Sequence, residues 1–298
     1  MKDDDTQGPF PPPGSCDCHV HVIGPKPRFP LASPRSYTPA DAPVAALETM
    51  MAALGLTRAV VVQPSVYGTD NRCTLDALAR LGPRGRGVAV IDDGLGRAER
   101  EALHRQGVRG VRMNLLSSGG GTRDAVVHRA RRLSADCAET GWHLQVYADA
   151  GTLETMAAEL LALPVPVVLD HFGMVDPTDP AGAGAATMLR LLDSGRIWIK
   201  ASGFYRPAQD PFDPALGRLA ARLSAANPER IVWGSDWPHT PQHGGTPGAD
   251  RWEAETPFRT IDTARLLGIL PEWLDADTLH RVLVANPATL YDFPDLPA

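Results

Sequence analysis

Apolar residues concentrate in eight short runs, at positions 17–23, 58–63, 87–91, 108–113, 142–147, 165–170, 196–201 and 230–234. Most are nearly continuous in Val, Ile and Leu, as expected of parallel strands buried on both faces. Stretches with apolar residues at helical spacing lie between them, at 42–54, 71–81, 97–106, 122–139, 152–163 and 213–226, and several end in Gly or Pro. Eight strands with intervening helices predict an α/β fold, a single-domain (β/α)₈ TIM barrel over residues 16–298. Helices at 260–270 and 277–283 close it, and 286–291 ends it. An open doubly wound sheet would need a glycine-rich phosphate loop after the first strand, and residues 17–24 contain none. Residues 1–15 end in a Phe-Pro-Pro-Pro-Gly-Ser run and read as a flexible N-terminal arm.

Barrel enzymes carry their chemistry at the C-terminal ends of the strands. Strand one reads Asp17-Cys18-His19-Val20-His21, and alternation predicts that His19 and His21 enter the barrel beside Asp17 while Cys18 turns away. Strand six ends at Asp170-His171-Phe172-Gly173, and strand eight runs out through Gly234-Ser235-Asp236-Trp237-Pro238-His239. A lone His-X-His in a strand is more often incidental than functional. Together with His171 and Asp236 at the proper strand ends, it becomes a set of three imidazoles and a carboxylate suited to one divalent metal such as Zn²⁺.

Composition narrows the partners. The chain has 298 residues, 43% hydrophobic and 21% charged, and a formal net charge of −6. Without a block of Lys or Arg to neutralise phosphates, nucleic acid is not an expected partner. No apolar run approaches the ~20 residues of a membrane span, and the acidic, polar start is no signal peptide. Four scattered cysteines, Cys16, Cys18, Cys73 and Cys137, make no disulfide framework, so a reduced, cytoplasmic protein with no membrane partner is expected. Cys16 and Cys18 read as buried structural thiols rather than as ligands. Lys2, Lys26 and Lys200 are the only lysines. The remaining basic residues are arginines, which grip carboxylates bidentately and so tolerate an anionic substrate.

Residues 17–21, the His171-Phe172-Gly173 turn, residues 233–239 and 286–291 resemble the amidohydrolase superfamily, specifically its amidohydrolase family 2 group of TIM-barrel metal-dependent hydrolases. Residues 63–71 and 110–114 extend the similarity to the lactonases of that group that act on 2-pyrone-4,6-dicarboxylate. The resemblance covers nearly everything from about residue 15 onward. Binuclear members bridge two metals with a Lys or Glu of strand four, which residues 108–114 lack, and His143 lies too early in strand five to reach the mouth. The resemblance therefore implies at most one metal, Zn²⁺ or Mn²⁺ held by His19, His21, His171 and Asp236, or none, since some such lactonases are thought to work without metal.

The reaction implied is opening of a small anionic lactone, with Asp236 as base toward water and His19, His21 and His171 completing the catalytic set. Arg112 and Arg206 are expected to hold a substrate carboxylate, and Tyr37, Ser65, Tyr67, Tyr147 and His239 to complete the pocket. The chain departs from the dicarboxylate pattern at residues 115–119, where an Arg is missing, and at Thr240-Pro241, where an Asn is missing. A different lactone is implied, of muconolactone or sugar-acid type. Decarboxylation of a small aromatic or unsaturated acid, lactone isomerisation on the same scaffold, and a catalytically inert binding barrel are the rival readings. Trp237 and Trp252 receive no role, and the oligomeric state is left open.

Overall fold

Strands buried on both faces need apolar side chains in both directions, and the eight runs supply them. The computed structural model describes residues 9–116, 121–241 and 254–294. It contains the parallel strands β1 (Cys16–Val20), β2 (Arg58–Val62), β3 (Gly85–Ala89), β4 (Val108–Asn114), β5 (His143–Tyr147), β6 (Val167–Leu169), β7 (Ile197–Ser202) and β8 (Ile231–Gly234), hydrogen-bonded in that order. Closure comes just past β8: the Asp236 N–H donates to the His19 carbonyl at 2.9 Å and the His21 N–H to the Trp237 carbonyl at 2.8 Å. Helices α1 (Val44–Ala53), α2 (Arg72–Leu81), α3 (Arg97–Arg105), α4 (Arg123–Thr140), α5 (Ala150–Leu161), α6 (Ala183–Asp193) and α7 (Pro214–Ala226) separate successive strands. This is the (β/α)₈ barrel. Helix α6 is the one of these seven that is not among the helical stretches read from the sequence.

Two apolar layers result. Cys16, Cys18, Val60, Val62, Val88, Val168, Trp198 and Val232 pack inside the barrel with Tyr291 and Phe293. A larger cluster, including Ala59, Val61, Leu144, Val146 and Leu169, packs the strands against the helices. The lower end of the barrel is plugged by the Phe293 ring, with the guanidiniums of Arg58 and Arg86 at 5.0 and 4.7 Å from its centroid. Arg58 also donates to the Gly14 carbonyl at 2.7 Å, so the end of the N-terminal arm is packed, with Gly14 and Ser15 buried. Residues 1–8 of that arm lie outside the described residues.

Strand β1 corrects the expected alternation. Cys16 pairs with Arg58 and Asp17 with Ala59, yet Val20 pairs with Val61, so one extra residue is inserted between Asp17 and Val20. Such a bulge re-aims the side chains that follow it. Before it, Cys16 and Cys18 share the inner face with Val60; after it, His21 takes the inner position beside Val62. Cys18 therefore lines the barrel interior rather than turning away. Asp17 faces the outer side, where its Oδ1 accepts from the His19 and Ser235 N–H groups at 3.1 and 2.9 Å. It clips the two closing strands together and is no member of the site.

His143 sits low in the barrel, as its place in strand five implied, with its ring edge-on to Tyr291 at 5.3 Å. Its ring covers Gly110 so closely that a Cβ there would lie 2.4 Å from His143 Nε2. Gly110→Ala is accordingly expected to cost about 1–3 kcal/mol through overpacking. Denaturant melts of Gly110→Ala alone and in a His143→Ala background check this, and the cost should largely vanish in the double variant.

Candidate active site

Three strand ends deliver the functional groups. The bulge of β1 turns His19 and His21 inward, β6 runs into Asp170 and His171, and the closing segment after β8 carries Asp236. The last two segments adopt left-handed backbone at non-glycine residues: His171, Phe172 and Met174 have φ of 51°, 57° and 53°, and Asp236 and His239 have 66° and 68°. L-residues rarely adopt this conformation, and its clustering at one mouth is typical of functional sites. Gly203 makes the close approach feasible, because a Cβ there would lie 2.7 Å from His171 Nδ1 and 3.0 Å from Asp236 Oδ2.

Asp236 is buried and its two oxygens are treated differently. Oδ2 accepts from Arg206 Nε at 2.6 Å and from the Tyr205 hydroxyl at 2.8 Å. Oδ1 has no hydrogen-bond partner among the described residues and faces His21 Nε2 at 3.4 Å and His19 Nε2 at 3.6 Å. His21 Nδ1 donates to the Val62 carbonyl at 2.8 Å, so Nε2 is the ring nitrogen left to face Asp236 Oδ1. His171 Nδ1 is bonded to Ser202 Oγ at 3.0 Å, and the His171 ring lies 4.8 Å from His19 and 4.9 Å, edge-on, from Tyr147.

Burial tends to raise the Asp236 pKa, but Arg206 foremost, followed by His171, outweighs it and holds the carboxyl well below the usual range. Asp236 is thus ionised at any neutral pH. Burial pushes His19 down to about 3 and His171 well below its ordinary value, so both rings are neutral.

A second buried carboxylate lies directly beneath. Asp170 Oδ2 accepts from Arg112 at 3.2–3.3 Å and from Gln145 Nε2 at 3.1 Å, while Oδ1 lies 3.4 Å from His19 Nδ1. Lys200, fully buried on β7, donates to Gln145 Oε1 at 2.7 Å and to the Cys18 carbonyl at 2.8 Å. Burial lowers Lys200 to about 8. Sequence reasoning assigned no role to Asp170, Gln145, Lys200, Ser202 or Tyr205. The usable signal was Lys200, a lysine with apolar neighbours inside a strand that must be buried.

The remaining expected residues divide. Arg112 and Arg206 both reach the site, within 5.5 and 5.9 Å of the Tyr147 ring centroid, but each already neutralises a site carboxylate rather than standing free for substrate. Tyr37 is buried near them, bonded to Thr240 and pushed up to about 12 by burial. Arg206 also donates to Thr240 Oγ1 at 2.8 Å, so Thr240 is part of this cluster. Ser65 Oγ is buried without a partner among the described residues. His239 stacks edge-on against Tyr205 and bonds Thr263 at 2.8 Å through Nε2, and its Nδ1 has no partner among the described residues. Tyr67 does something else: its hydroxyl accepts from the Gly24 N–H at 3.1 Å and braces the loop after β1. Residues 117–119 and Trp252 lie outside the described residues.

The proposed four-ligand metal set is split by the geometry. Ligand atoms of His19, His21 and Asp236 lie within 4.8 Å of one another, whereas His171 clusters with His19 and Asp170.

The family profile described as Amidohydrolase matches residues 16–293. The chain belongs to the amidohydrolase family. It is 32% identical to a 4-sulfomuconolactone hydrolase of Rhizobium radiobacter, covering 94% of this chain and 90% of that protein. Identity to a 2-pyrone-4,6-dicarboxylate hydrolase of Comamonas testosteroni is also 32%, again over 94% and 90%. A D-galactarolactone isomerase of Agrobacterium fabrum is 32% identical over 81% of this chain and 78% of that protein. Among solved structures, an apo crystal structure from Agrobacterium tumefaciens has a TM-score of 0.80 at 26% identity, covering 97% of this chain and 100% of that one.

Stability should depend on pH through the buried imidazoles. Burial takes His19 and His143 to about 3 and His239 to about 4, so the unfolded chain binds protons below about 6.5 that the folded protein refuses. Stability is therefore lost as pH falls from about 6.5 toward 4. Asp17, raised to about 6 by burial, contributes the opposite sign between about 6 and 4. His143→Leu should flatten the falling limb by about 1.4 kcal/mol per pH unit, measured from urea midpoints between pH 6 and 4.

Proposed function

We propose that the protein is a lactonase, opening a small carboxylated lactone by attack of water on the ring carbonyl. The observation that carries this reading is the asymmetry of Asp236. One oxygen is fixed by Arg206 and Tyr205, and the other has no hydrogen-bond partner among the described residues and stands beside two buried imidazoles. Asp236 Oδ1 and His21 Nε2 are both acceptors 3.4 Å apart, so a single water can donate one proton to each and aim a lone pair at substrate.

As the water oxygen bonds to the carbonyl carbon, its proton passes to Asp236 Oδ1 and the carbonyl oxygen becomes an oxyanion. His19 and His171, whose rings lie 4.8 Å apart, stabilise that charge by hydrogen bonds. Collapse breaks the ring C–O bond, and Asp236 returns its proton to the leaving ring oxygen. Ionisation of the new carboxyl releases one proton to solvent. Because Arg206 depresses the basicity of Asp236, the proton is held only transiently, which suits a group that must give it back.

The donor set would also fit a divalent ion in the form of His19 that carries its proton on Nδ1: His19 Nε2 and Asp236 Oδ1 are buried with no partner among the described residues, and His21 Nε2 stands beside them. Zn²⁺ or Mn²⁺ held by His19, His21 and Asp236, with His171 adjacent, would supply Lewis acidity toward water and carbonyl. Arg112 and Arg206 each spend part of the guanidinium on a site carboxylate, and their remaining N–H groups serve an anionic substituent of the substrate. Tyr37, Tyr147, Ser65 and His239 complete that pocket. Thr240, with its short hydroxyl bonded to Arg206, favours a muconolactone-type or sugar-acid lactone over the pyrone dicarboxylate. The isomerase relative supports a second reading, in which another hydroxyl of the opened product re-closes the ring through the same groups.

Proton release across a panel of carboxylated lactones, with and without chelator, tests the reading. Turnover of at least one member is expected, and silence across the panel with zinc-replete protein would overturn it. Asp236→Asn should lower kcat by about 10²–10⁴-fold. That variant leaves Arg206 without its buried partner, so a thermal melt must accompany the assay. Undiminished turnover in a folded Asp236→Asn would remove Asp236 as the base.

A further inference from the structure

Lys200 sits at the centre of the barrel, directly under His19. Its ammonium offers three protons and no acceptor. Two are committed, to the Cys18 carbonyl at 2.8 Å and to Gln145 Oε1 at 2.7 Å. The orientation of the Gln145 amide is fixed from its other end, since Nε2 donates to Asp170 Oδ2 at 3.1 Å. The third Lys200 proton has two acceptors in reach: His19 Nδ1 at 3.5 Å and Asp170 Oδ1 at 3.9 Å. Asp170 Oδ1 also lies 3.4 Å from His19 Nδ1, but no hydrogen bond to it satisfies the geometry. Lys200 makes the contact at His19 Nδ1 that meets hydrogen-bond geometry, and Asp170, whose charge pulls on the same nitrogen, is its competitor.

That choice decides what the opposite edge of the ring can do. A neutral imidazole that accepts at Nδ1 carries its proton on Nε2, where it is a donor and has no lone pair to give a metal. If Nδ1 instead donated to Asp170, Nε2 would be a lone pair facing Asp236 Oδ1 and His21 Nε2, ready for a divalent ion. Lys200 and Asp170 thus compete for one nitrogen, and the outcome selects between the two forms of catalysis open to this site.

We propose that Lys200 is a positioning residue that holds His19 in its Nε2–H form, presenting a hydrogen-bond donor to the reacting carbonyl oxygen and disfavouring a divalent metal at the mouth. The inference rests on the placement of His19 in the lactonase site, but its primary readouts involve no substrate and stand or fall separately from that reading.

Long-range ¹H–¹⁵N correlation spectra of the wild-type protein, with the His19 signals assigned by their loss in His19→Gln, report the tautomer directly. The Nε2–H pattern is expected in metal-free protein, and an Nδ1–H pattern would overturn the proposal whether or not any variant folds. In Lys200→Met the pattern should switch to Nδ1–H. Zinc affinity, measured against a chromophoric chelator, should rise by about 10–100-fold. Metal-free kcat should fall with little change in KM. A lysine that merely filled space would alter the melting temperature alone, so an unchanged tautomer and zinc affinity in folded Lys200→Met would also sink the idea.

Discussion

The structure depends on charge compensation inside the barrel mouth. Asp170 and Asp236 are both fully buried, and each is neutralised by one guanidinium, Arg112 and Arg206 respectively. Removing one partner of such a pair typically costs about 3–5 kcal/mol, because the other charge is left stranded. This constraint explains the two arginines better than substrate binding alone does. It also fixes the tyrosines around them: Tyr205 bonds Asp236, and both Arg112 and Arg206 lie close to the Tyr147 ring.

Compensation is incomplete in a directed way. Arg206 and Tyr205 saturate one oxygen of Asp236, and Arg112 with Gln145 saturates one of Asp170. The second oxygen of each carboxylate faces His19, one on either side of the ring. His19 thereby stands between an upper layer that carries Asp236 and a lower layer that ends in Lys200. Left-handed backbone at His171 and Asp236 is the conformational cost of bringing these groups together, and the surrounding barrel over-determines it.

Much of this was legible in the chain before folding. Eight runs of Val, Ile and Leu separated by amphipathic stretches specify buried parallel strands and their crossovers, because burial on both faces admits no other composition. His19, His21, His171 and Asp236 announced themselves by standing at strand ends, where barrel chemistry occurs. His143 was correctly placed low in the barrel by counting along strand five. The β3 boundary was missed by two residues, since Gly85 and Arg86 have no strand-like pattern and are recruited by pairing with β2.

What the sequence determined by itself is thus the periodic part: which segments are strands, which are helices, and which residues stand at the strand ends. Tertiary structure alone decided the partners. The β1 bulge that puts Cys18 and His21 on one face depends on how β1 pairs with β2, and no local pattern reports it. The assignment of Arg112 to Asp170, Arg206 to Asp236 and Lys200 to His19 joins residues 30 to 181 positions apart. Such pairs are set by the closure of the barrel, which brings distant strand ends within hydrogen-bonding distance where water is excluded and every buried charge must find its complement.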